Sequence, residues 1–92
     1  MSKLFQEIGT STAVNILKTI GKDRLQAHSF SMKGTDVITG FDCTLRLDQC
    51  EALIAHADKI IFWHYDFDPK CRRDISLWLG AQMYTIEVMQ EA

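Results

Sequence analysis

Apolar and polar positions follow two different periods along the chain, and the changes of period mark its elements. Leu4, Phe5 and Ile8 share one face of a helical wheel, and Val14, Ile16, Leu17 and Ile20 continue at three- and four-residue steps. This spacing predicts helix through the first twenty residues, closed by Gly21 as a C-cap. Gly9 with Thr10-Ser11-Thr12 leaves two forms open: one helix, or a short helix, a break and a second helix capped by Ser11 or Thr12. Beyond Arg24 the period falls to two. Leu25 to Met32 alternates loosely, Lys33-Gly34-Thr35 makes a turn, and Gly40 to Leu47 alternates cleanly with Phe41, Cys43, Leu45 and Leu47 inward. A β-hairpin is expected.

Asp48 then suits a helix N-cap, with Glu51 in capping-box position. Cys50, Leu53, Ile54 and Ala57 form the apolar stripe of that helix, with Glu51, His56, Asp58 and Lys59 on its wet side. Ile60 to Asp68 is rich in β-branched and aromatic residues and predicts a strand. Ile61, Trp63, Tyr65 and Phe67 fall on one face of it; Ile60, Phe62, His64, Asp66 and Asp68 fall on the other. Asp68-Pro69-Lys70 begins a turn. Ile75, Leu77 and Leu79 alternate with Ser76 and Trp78, Gly80-Ala81 forms a two-residue hairpin turn, and Tyr84, Ile86 and Val88 alternate to the end. The order is α(α)-ββ-α-βββ. It predicts one α+β domain over residues 1–92, with an antiparallel sheet of about five strands packed with two or three helices.

Charge and cysteine content narrow the setting. Ten basic against twelve acidic residues give a formal charge of −2, unlike the strongly basic domains that bind DNA in general. The charge is uneven: residues 1–47 hold six basic and four acidic side chains, residues 48–92 four and eight. That division suits a partner containing both basic protein and nucleic acid. Cys43, Cys50 and Cys71 are odd in number and form no CxxC, so they predict neither a disulfide framework nor a zinc knuckle. No apolar run exceeds four residues, Ile60-Ile61-Phe62-Trp63 among them, which predicts no membrane span and a cytoplasmic protein.

Chemistry-bearing residues are few. His64, Asp66 and Asp68 form H-x-D-x-D on one strand face, a conceivable ligand set for a transition metal, but no second cluster completes it and structure is the simpler expectation. Cys71 between Lys70 and Arg72-Arg73 would favour its thiolate, yet no oxyanion element or catalytic motif accompanies it and His64. No enzyme, metal or cofactor is expected. Lys70, Arg72 and Arg73 make a compact cationic loop suited to phosphate or carboxylate, and Lys22, Arg24 and Lys33, with Lys18, form a second basic grouping. Phe62 and Trp78 stand opposite the larger apolar stripes of their strands, which marks them as candidate interface aromatics.

In the stretches SKLFQEIGTSTAVNILKTIGKDRL and KIIFWHYDFDPKCRR, and in its length, the chain resembles the phage-encoded anti-CRISPR proteins, particularly small inhibitors of type I-F surveillance complexes. That group has no common fold or motif, so no residue role carries over. The resemblance implies a non-enzymatic, stoichiometric inhibitor in the cytoplasm of the infected bacterium. It would bind a multi-subunit crRNA-guided Cas complex, with crRNA phosphates as candidate contacts, and block target DNA recognition or hybridisation. No membrane or small-molecule substrate is expected. The mild charge departs from the strongly acidic DNA-mimicking members. Two other readings stand beside this one: a small metal-dependent enzyme on the His64/Asp66/Asp68 face, and a phage or plasmid regulator or antitoxin.

Overall fold

A computed structural model of the chain describes residues 4–65 and 72–89. Its elements run β1 (Leu4–Glu7), α1 (Thr10–Ile20), β2 (Arg24–Lys33), β3 (Asp36–Arg46), α2 (Leu47–His56), β4 (Lys59–His64), β5 (Arg73–Leu79) and β6 (Gln82–Met89). The six strands form one sheet in the order β1-β4-β5-β6-β2-β3, antiparallel at every pairing. The α+β class is as expected, with six strands in place of about five.

The extra strand comes from the predicted helical start. Residues 4–7 pair with β4, from Leu4 opposite His64 to Glu7 opposite Ile61. The Ile8 N–H then donates to the Ile60 carbonyl at 3.0 Å. Their partner lies more than fifty residues away, so no local periodicity announces it. Gly9, in extended conformation, is the N-cap of α1, in place of Ser11 or Thr12, and no side chain caps the helix.

A similar shift occurs at α2. The Leu47 N–H donates to the Asp23 carbonyl at 2.9 Å, so the helix starts as soon as β3 ends. Arg46 is therefore the N-cap rather than Asp48. Gln49, not Glu51, closes back on it, its Oε1 accepting the Arg46 N–H at 2.8 Å. Asp48 remains in the first turn, where a carboxylate complements the helix dipole.

Both helices cover the same side of the sheet. Ala13 and Leu17 from α1 and Cys50 and Ile54 from α2 meet Leu25, Ala27, Ile60, Ile75, Leu77, Ile86 and Val88 in one buried core. Cys43 and Leu45 of β3 pack partly against it. Phe41, expected inward, is 64% exposed, and Val37 and Ile38 are exposed with it. They belong to the outer length of β3, an edge strand that runs beyond the buried core. The β5–β6 hairpin turns at Gly80-Ala81 as expected, with Gly80 at φ 59, a left-handed conformation that glycine adopts without strain.

Candidate functional site

Strand alternation sends a second set of side chains to the face that neither helix covers. β5 contributes Asp74, Ser76 and Trp78 there, because Ile75 and Leu77 point into the core. β4 adds Trp63, β6 adds Met83 and Thr85, and β2 adds His28 and Phe30. With Tyr65 and Arg72 they line a shallow trough of about 510 Å³.

Its walls are aromatic and its floor is polar. On one side run Phe5, Trp63 and Tyr65: the Phe5 and Trp63 rings are 5.3 Å apart, and Trp63 and Tyr65 lie 6.4 Å apart and nearly parallel at 15°. On the other, three strands and about 14 Å away, His28 stacks with Phe30 at 6.3 Å. Phe30 also lies over Gly40 on β3, where any Cβ would come within 2.6 Å of its ring. Along the floor, the Trp63 indole N–H donates to Ser76 Oγ at 2.7 Å, and Ser76 and Thr85 hydroxyls face each other at 3.5 Å.

Asp74 is the least expected member. It is fully buried although it lies on the uncovered face. Arg72 Nη2 donates to its Oδ2 at 3.1 Å, and the guanidinium lies 5.1 Å from the centre of the Tyr65 ring. Asp74 Oδ1 accepts no hydrogen bond among the described residues. Burial pushes the Asp74 carboxyl above its ordinary range, more than the Arg72 hydrogen bond and charge pull it down; Glu87 adds repulsion, and a hydrogen bond with Tyr65 lowers it by a smaller amount. Nearby, His28 Nδ1 lies 2.6 Å from Asp42 Oδ1, and its Nε2 lies 3.7 Å from Glu87. Lys59 Nζ lies 5.6 Å from the Trp78 ring centre.

The residues singled out from sequence are dispersed. Arg72 reaches the open face, whereas Arg73 lines a groove beside α1 with Ile16, Ile20 and Phe62, and Lys70 lies outside the described residues. Lys22 and Arg24 sit near the start of β2 and Lys33 at its far end, about 30 Å along the strand. Trp78 is on the open face; Phe62 packs against the core on the covered side. His64 ends β4, and Asp66, Asp68 and Cys71 lie outside the described residues. Among the described residues no group of three or more His, Cys, Asp or Glu is placed to hold a metal ion. Cys50 is buried in the core and its thiol is pushed up to about 11, chiefly by burial; Cys43, half-buried, is raised for the same reason. Both are packing residues.

Asp74, Ser76 and Thr85 carry no functional expectation in the sequence. The available signal was Asp74-x-Ser76-x-Trp78, three polar or amphipathic residues on the face opposite Ile75 and Leu77. No helix among the described residues is long and apolar enough to cross a membrane. Comparison of the chain with protein-family models, with curated proteins and with solved structures finds no match.

Proposed function

We propose that this chain is a non-enzymatic binding protein that works through the open face of its sheet. Its target is the crRNA-guided type I-F surveillance complex that the sequence resemblance implies. Bound there, in the cytoplasm of an infected bacterium, it blocks recognition or hybridisation of target DNA.

The observation that carries the binding reading is the placement of large aromatic side chains on a sheet face that neither α1 nor α2 covers. A domain of 92 residues has little apolar surface to spare for its own core. Here Phe5, 65% exposed, and the half-buried Trp63, Tyr65, Trp78 and Phe30 stand outside that core. Aromatic residues of this kind, with Arg72 among them, are typical anchors of protein interfaces.

The test is a titration of purified protein into reconstituted type I-F complex, followed by labelled target DNA. Loss of DNA binding is expected to be complete near one or a few equivalents per complex. Unchanged DNA binding at large excess would contradict the proposal.

A further inference from the structure

We propose that the trough over Asp74 receives an arginine side chain from the partner protein, its guanidinium bonded to the Asp74 carboxylate and stacked on the neighbouring rings. The inference rests on the reading of the open face as the docking surface and names the group it recognises.

The argument starts with Asp74 itself. A buried carboxylate is costly unless both oxygens are met by donors, and Oδ1 has none among the described residues. Arg72 donates to Oδ2 and the Tyr65 hydroxyl is a further hydrogen-bond partner of the carboxylate, so the unmet demand is that of Oδ1 alone. A guanidinium offers five N–H donors in a flat fork, so it bonds a carboxylate and stacks on an aromatic ring at once. Arg72 already displays that mode within the chain, bonded to Asp74 and lying over Tyr65.

Charge points the same way. Asp74 lies directly across from Glu87, and His28 brings Asp42 close. Of these acids Asp74 alone lines the trough, with Glu87 beside it on β6 and Asp42 out on the β3 edge; among the described residues Arg72 is the cation bonded to Asp74, and Lys59 lies at the Trp78 end. A phosphate-bearing ligand is repelled there and a cation attracted. The near-parallel planes of Trp63 and Tyr65 favour the planar guanidinium over a compact ammonium. Arg72, the residue already bonded to Asp74, has a side chain that is 47% exposed, so it can swing aside for an incoming guanidinium.

The experiment follows the indole N–H resonances of Trp63 and Trp78 during titration with N-acetyl-arginine amide. N-acetyl-citrulline amide, of the same shape but neutral, and guanosine 5′-monophosphate are run alongside. Arginine should shift both resonances and saturate at a concentration about tenfold lower than citrulline, as a charge-assisted bond requires. Asp74→Asn should bring arginine to the citrulline level. The contrast in the wild type alone decides the matter if that variant does not fold. Equal response to arginine and citrulline overturns the inference, as does a response to the nucleotide at lower concentration than to arginine. Binding of the intact surveillance complex without an arginine preference would sink this inference and spare the functional proposal. An arginine preference without complex binding would do the reverse.

Discussion

Asp74 shows how one buried residue sets the chemistry of the open face and also taxes the fold. Its carboxyl is raised above the ordinary value, with burial as the main cause, so the folded state holds the proton more tightly than the unfolded state. The stability tied to this group is therefore full below the unfolded carboxylate value of about 3.9 and is lost as pH rises through the raised folded value. Asp74→Asn is expected to melt above the wild type at pH 7, with the gap closing as pH falls through the raised folded value toward the unfolded one. Thermal melts across pH 3–8 check this, and a variant that melts lower at pH 7 would show that the Arg72 pair outweighs burial. Gly40 makes a second residue-scale case. Alanine there would press on the Phe30 ring at 2.6 Å, an overpacking cost of about 1–3 kcal/mol. Denaturant unfolding should show most of that cost removed when Gly40→Ala is made in a Phe30→Leu background.

The elements differ in how openly the sequence declares them. α2 is legible because Cys50, Leu53, Ile54 and Ala57 repeat at the helical period, and the structure sets Cys50 and Ile54 in the core. The two do not weigh equally with their neighbours. Ile54 is fully buried while Leu53 is half-buried beside Leu45 and Tyr84. Ile54→Ala should cost about 2–5 kcal/mol and Leu53→Ala distinctly less, measured by urea unfolding. Equal losses would place the two side chains in equivalent surroundings. β1 is illegible for a different reason. Leu4 and Phe5 share a helical-wheel face with Ile8, and only the distant pairing of Phe5 with Trp63 and Gln6 with Phe62 makes residues 4–7 a strand. The cap of α2 falls at Arg46, two residues before the Asp48 that the local pattern predicts, because the Leu47–Asp23 bond is likewise non-local.

At the scale of the whole molecule, the sequence shows two-faced strands but not which face the helices take. Phe62 and Trp63 are neighbours in the chain, and the fold sends one under α1 and the other to the open face. The cationic residues grouped by sequence part in the same way, Arg72 to the open face and Arg73 to the covered side. The candidate site is instead assembled from β2, β4, β5 and β6, whose order β4-β5-β6-β2 is a tertiary property. The central claim is that this face is the binding surface, and one comparison tests it directly. Affinity for the type I-F surveillance complex would be measured for three proteins of equal melting behaviour. These are the wild type, Phe5→Ser/Trp78→Ser on the open face, and Ala55→Ser/His56→Ser on the exposed side of α2. Two buried aromatic anchors should together be worth about 2–4 kcal/mol, so the open-face variant is expected to bind roughly 30-fold or more weaker, with the α2 variant unchanged. Equal affinity of the wild type and the open-face variant would contradict the account.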